Sequence, residues 1–163
     1  MQPDYYNNLD KTYDKAWQML IHGYLNRDVP FRIPTFVCGL NKSIDGRLIV
    51  LRAADKNSKI IKFHTDIRSK KIELIKKNSN VSFLFYDKNE KIQVRILGKA
   101  KINYENEITK ECWQKTAHMS RKCYLIKNPP GSSSKIPTSG LGNDSENFTY
   151  TLNESEKGYK NFA

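Results

Sequence analysis

The sequence predicts a mainly-β fold: antiparallel strands curling into a closed or partly closed barrel, with an N-terminal helix and small inserted helices. Three observations carry this. Short apolar runs succeed one another from residue 35 to 100 with polar turns between them. The longest helical periodicity lies ahead of them, over 5–26. Consecutive hairpins expose strand edges, and closure is the common way to protect those edges.

Each element has its own signal. Over 5–26, Tyr6, Leu9, Tyr13, Trp17, Leu20, Ile21 and Tyr24 recur at helical spacing between polar positions, an aromatic stripe suited to core packing. After Pro30 and Pro34 the texture changes. Strands are expected at 35–40 and 47–53, joined through 41–46, whose Asp45-Gly46 is a hairpin signal. A third strand, 59–65, follows the polar turn 55–58. A short helix from Ser69 to about Asn78 turns Ile72, Leu74 and Ile75 inward. Runs 81–86 and 92–100 make another hairpin, with Ile92, Val94 and Ile96 on one face and Gln93, Arg95 and Leu97 on the other. A helix near 105–116 and a further helical piece to 126 follow. Residues 128–147, rich in Pro, Gly, Ser and Asn, read as a loop, and 159–163 as the beginning of a strand that stops. The chain reads as one domain: helix 5–26, barrel core 35–103, helical segment 105–126, then loop and truncated last strand over 128–163.

Composition narrows the class. At 163 residues, with 38% apolar and 11% aromatic residues, the chain can bury a core without staples. No apolar run approaches the roughly 20 residues that span a bilayer, and the N-terminus lacks a signal-peptide pattern. Cys38, Cys112 and Cys123 are odd in number and irregularly spaced, which suggests a reducing compartment; a cytoplasmic protein is expected. His22, His64 and His118 have no ligand spacing with Cys or acidic residues, so no metal site is expected. The net charge of +11 attracts polyanions, which brings nucleic acid into consideration; no recognition helix or paired stacking aromatics support it.

The stretch that carries chemistry is Phe63-His64-Thr65-Asp66-Ile67-Arg68-Ser69-Lys70-Lys71, a strand running through a tight turn into a helix. Arg68, Lys70 and Lys71 fall at the helix start, where the dipole and free N–H groups already present positive charge. A bound anion relieves that conflict, and a phosphate monoester suits it, with Thr65 and Ser69 adding hydroxyl donors. The alternative is that Asp66 caps the helix while the lysines face water. Two further features stand out: Arg47-Leu48-Ile49-Val50-Leu51-Arg52, an apolar strand with arginine at both ends, and Gln93, a lone amide in an apolar strand.

Taken together, Arg47 to Arg52, Phe63-His64-Thr65 with Ser69-Lys70-Lys71, Val81 to Phe85, and Gln93 to Ala100 resemble the core of the pyridoxamine 5′-phosphate oxidase-like, FMN-binding split-barrel proteins. Trp113, Arg121, Tyr124 and Pro130-Gly131 resemble an uncharacterised branch more than the vitamin B6 oxidases. The resemblance implies FMN as cofactor. Arg47, Lys70 and Lys71, with Thr65 and Ser69, would hold its phosphate. Leu48, Ile49 and Val50 would line the isoalloxazine ring. Arg52 would lie near the ring's polar edge or the substrate, His64 would stand where an aromatic residue is usual, and Gln93 would bond the pyrimidine. The family is a homodimer with FMN at the interface, and residues around Gly131–Ser133 would reach the partner's site. Two departures point away from pyridoxamine phosphate oxidation. Glu111 and Lys115 fall where the oxidases bind substrate phosphate, and the family's strands carrying a flavin-contacting tryptophan and an arginine-x-histidine motif would lie past Ala163.

The expected function is an FMN-dependent oxidoreductase acting on a small molecule that the sequence does not name. A non-catalytic binder of FMN or a related phosphate cofactor is the alternative, and a basic nucleic-acid module a further one.

Overall fold

The computed structural model describes residues 2–163, which group into two compact units. One comprises the chain up to His64 with Asn78–Ala100, and the other Thr65–Lys77 with Lys101–Ala163.

The first unit opens on helix α1, Leu9–Leu25. It starts later than the stripe over 5–26 suggests, because the Asn8 side chain accepts from the Lys11 amide at 3.0 Å and fixes the N-terminus there. Leu9 and Tyr13 are exposed, whereas Trp17, Met19, Leu20 and Gly23 are buried, so only the later turns face the core. Six strands follow: β1 (Thr35–Leu40), β2 (Ser43–Leu48), β3 (Leu51–Asp55), β4 (Ile60–Phe63), β5 (Asn80–Asp87) and β6 (Ile92–Lys99). They form an antiparallel sheet in the order β2-β1-β5-β6 and a separate β3-β4 hairpin. Phe63 of the hairpin packs on Phe36 and Phe83 of the sheet, with ring centroids 5.0 and 5.9 Å apart, while α1 packs on β3. Among the described residues, backbone pairing does not close the two sheets into one barrel, so the partly closed form is the one adopted.

Two strand expectations need correction. The expected turn at Asp45-Gly46 lies within β2; the reversal occurs at Asn41-Lys42, where Leu40 pairs with Ser43 and Asn41 takes φ +53°. That left-handed position suits asparagine. The expected strand 47–53 is interrupted at Ile49-Val50, where the chain leaves the large sheet and enters the hairpin. The other two hairpin loops share the sequence Asp-Lys-Asn-x-Lys. In each, the aspartate (Asp55 or Asp87) accepts from the amide two residues on at 2.9 Å, and the last lysine (Lys59 or Lys91) takes a positive φ.

The second unit contains α2 (Lys70–Lys77), α3 (Glu107–Gln114), α4 (His118–Arg121) and the one-turn helices α5 (Asn143–Glu146) and α6 (Leu152–Ser155). As expected, Ile72, Leu74 and Ile75 of α2 are buried. Asn106 and Thr109 form a reciprocal cap that starts α3. Its core is Trp113, Tyr124 and Phe162, with rings 5.1–5.7 Å apart. Arg121, also buried, lies 4.6 Å from the Trp113 ring and donates to Glu156, which also accepts from Trp113 Nε1. The segment expected to start a strand at 159–163 is instead a tight helical turn through Asn161. Phe162 then forms a single antiparallel bridge with Asp66.

Candidate functional site

Thr65, Ser69 and Lys71 come together in the second unit, in the turn that leads into α2. Lys71 is 6% exposed and Ser69 fully buried. The Lys71 ammonium donates to Thr65 Oγ1 at 2.5 Å and to Ser69 Oγ at 2.8 Å. Lys70, one residue earlier and about 100° around the helix, is exposed. The two lysines are therefore not equivalent. Only Lys71 is built into the structure, its charge gathered with two hydroxyls at the first turn of an eight-residue helix. This donor set fits a phosphate monoester: a buried cation, two rotatable hydroxyls and the positive end of a helix dipole.

The turn itself is held firmly. The amides of Thr65 and Ile67 donate to the carbonyls of Ala163 and Asn161 at 2.8 and 2.9 Å, and the Ala163 amide returns a bond to Thr65 at 2.9 Å. Asp66 is buried, and its Oδ1 accepts from the Arg68 amide at 2.8 Å, an Asx turn that precedes the helix. Arg68, in sequence one of the cations crowding the helix start, does not join Lys71. Its guanidinium is paired with Asp66 at 2.7 Å, a pairing the Asp-x-Arg spacing could have signalled.

The remaining residues belong to the first unit. Arg47, in β2, pairs with Phe36 of β1 in register, so it shares the inner face with the aromatic core; there it forms an ion pair with Asp45, a partner that sequence reasoning missed. Leu48 points to the opposite, outer face and is exposed. Ile49 is buried at the link between sheets, its amide donating to the Pro34 carbonyl at 3.1 Å, and Val50 is half-buried. Arg52 falls at the register shift between Leu51 and Ala53, the extra residue of a β-bulge. Bulges re-aim side chains and recur beside functional sites. Across the hairpin, His64 follows β4. Its imidazole is pushed down to about 4 by burial, then by the positive charges of Arg52 and Lys62, and is neutral at pH 7. Gln93 pairs with Tyr86 on the outer face of the sheet and is exposed. Arg47 and Gln93 thus occupy opposite faces of one sheet. Gly131–Ser133 are exposed.

Comparison with known proteins identifies the family and the fold. Residues 14–104 match the family model described as pyridoxamine 5′-phosphate oxidase, FMN-binding domain. A pyridoxamine 5′-phosphate oxidase-related, FMN-binding protein from Nostoc punctiforme superposes with a TM-score of 0.63 at 17% identity, covering 99% of this chain and 79% of its own. PhzG from Burkholderia lata, solved with tetrahydrophenazine-1-carboxylic acid, gives 0.67 at 17% identity over 93% of this chain and 75% of its own. At that identity the likeness concerns the fold alone. No curated protein matches the sequence significantly. The family match spans more than half of the chain, and the chain belongs to the pyridoxamine 5′-phosphate oxidase FMN-binding domain family.

Proposed function

From that membership we propose that the chain binds FMN and acts as an FMN-dependent oxidoreductase on a small molecule. The observation that carries the reading is Lys71, a buried ammonium held by Thr65 and Ser69 at the head of α2, where a phosphate ester would meet donors already gathered. Lys70 adds an exposed charge at the same helix start. Bound FMN would supply the redox chemistry, accepting or giving a hydride at its ring. The chain's own residues orient it and set its electrostatics. Leu48, Ile49 and Val50 are assigned to the ring, and Gln93, with one donor group and one acceptor, to the pyrimidine edge. Arg52, presented on its bulge, is assigned to the ring's polar edge, where its positive charge would favour reduction. Arg47 is assigned to the phosphate and would exchange its Asp45 partner for it.

The reading also makes the protein a homodimer. Arg47 and Gln93 face opposite sides of one sheet, so assigning both to one flavin calls for two copies. The outer face supplies an apolar surface for such pairing: Leu48, Tyr86 and Leu97 are 68%, 55% and 74% exposed. A cytoplasmic location follows from the cysteine pattern; among the described residues no helix is long and apolar enough to cross a membrane.

The test is a visible spectrum of purified protein before and after adding FMN, followed by reduction with nicotinamide nucleotides. Flavin bands with reducible cofactor are the expected result. Bands that no donor reduces would identify a non-catalytic binder, and no bands even with added FMN would end the proposal.

A further inference from the structure

Asp66 places a negative charge in the turn that is to receive an anion. The residue is 6% exposed, and it lies between Thr65 and Ser69, whose hydroxyls hold Lys71. Its backbone is held in the turn: it is bridged to Phe162, itself buried in the aromatic cluster, and the Ser69 amide donates to its carbonyl at 3.0 Å. An ionised carboxylate fixed there would repel a phosphate dianion and compete with it for Lys71.

Arg68 meets that carboxylate along both oxygens. Its Nε donates to Oδ1 at 3.0 Å and its Nη2 to Oδ2 at 2.7 Å, the two-pronged geometry that guanidinium and carboxylate favour. The rest of the guanidinium is also engaged, with Nη1 donating to the Lys127 carbonyl at 3.1 Å and Nη2 to that of Ile126 at 3.0 Å. All of these groups lie within the second unit.

We propose that Arg68 is the positioning residue that lets this turn accept an anion. It neutralises the buried Asp66 and occupies both of its carboxylate oxygens, so that they compete less for the Lys71 ammonium. The inference rests on the phosphate assignment made above. It gives three neighbouring cations separate roles, in which Lys71 meets the ligand, Arg68 meets Asp66, and Lys70 remains at the surface.

A purely structural staple would affect every ligand alike, so phosphate discrimination is the informative readout. FMN and riboflavin differ only in the phosphate. Both are titrated by flavin fluorescence into wild type, Arg68→Gln, Asp66→Asn, Arg68→Gln/Asp66→Asn and Lys71→Met. Arg68→Gln should weaken FMN roughly tenfold or more with riboflavin within about twofold, because a buried charge has lost its partner. The double variant should recover most of that loss, since the unmasked charge is gone, and Asp66→Asn alone should bind FMN at least as tightly as wild type. Equal losses of FMN and riboflavin in Arg68→Gln overturn the inference, as does a double variant no better than the single one. If Arg68→Gln does not fold, the other two variants decide: Asp66→Asn with weakened FMN, or a double variant without FMN preference, refutes it. A wild type indifferent to the phosphate, or a Lys71→Met variant that keeps the preference, removes the phosphate assignment itself and this inference with it.

Discussion

Replacing Lys71 with methionine perturbs the proposed anion site with little change in volume. Methionine keeps an unbranched apolar stem and removes the charge. The ammonium lies 2.5 Å from Thr65 Oγ1 and 2.8 Å from Ser69 Oγ, so its direction toward a ligand is already fixed and little ordering remains to be done on binding. A hydrogen bond to a charged group contributes about 1.5–3 kcal/mol. With one or two such bonds to phosphate, Lys71→Met should cost about 2–4 kcal/mol, roughly 30- to 1,000-fold in Kd for FMN. Riboflavin should bind both proteins equally. Fluorescence titration reads this directly, and thermal unfolding provides an independent scale. FMN at about 100 times Kd stabilises a protein by about 2.7 kcal/mol, which is roughly 5–10 °C for a chain of this size. At the same FMN concentration a variant bound about 100-fold more weakly keeps only about 0.4 kcal/mol, a shift under about 2 °C. An FMN affinity within about threefold of wild type would refute the reasoning, since it leaves Lys71 less than about 1 kcal/mol of contact with the phosphate.

Three other outcomes are expected. His64, with a pKa pushed from 6.5 to about 4, is neutral in the folded protein and takes up a proton more readily when unfolded. The stability it contributes is therefore whole above pH about 6.5 and shrinks as pH falls toward 4, by at most about 3 kcal/mol before solvent screening. His64→Gln should flatten that slope in urea titrations; an unchanged slope contradicts it. Gly23→Ala should lower the urea midpoint: helix propensity favours alanine by up to about 1 kcal/mol, but the added Cβ would meet the Phe31 backbone oxygen at 2.8 Å, overpacking that costs about 1–3 kcal/mol. A raised midpoint would show that α1 can move away from Phe31. Wild type should sediment as the proposed dimer, and Leu97→Glu, on the exposed outer face of the sheet, should leave folding intact and give a monomer in sedimentation velocity; a wild type that sediments as a monomer refutes the proposal.

Much of the fold was legible because its signals are local. Alternation in 92–99 correctly separated Ile92, Val94 and Ile96 from Gln93, Arg95 and Leu97, and Ile72, Leu74 and Ile75 marked the buried positions of α2. The errors fall where a distant partner decides between local options. Asp45-Gly46 and Asn41-Lys42 both allow a turn. Pairing of β1 with β5 puts Phe36 and Cys38 inside, and that register leaves the reversal to Asn41. The run 47–53 is apolar through its middle, so its sequence cannot reveal that β2 bonds to β1 while β3 bonds to β4.

The candidate site shows the same division between what composition reveals and what only packing can decide. The positive charges at the start of α2 single out this turn but do not distinguish Arg68, Lys70 and Lys71 from one another. Their fates diverge for separate reasons. Asp66 lies two residues before Arg68 and claims its guanidinium, α-helical geometry turns Lys70 outward, and Thr65 with Ser69 draws Lys71 into a buried position. An exposed lysine is hydrated and mobile, and contributes little to a specific anion contact. A buried one has already lost its water, so what it gains from a phosphate is not spent on drying or ordering it. Selectivity for the phosphate ester should therefore follow the burial of a single ammonium and the masking of a single carboxylate, and not the +11 charge of the chain as a whole.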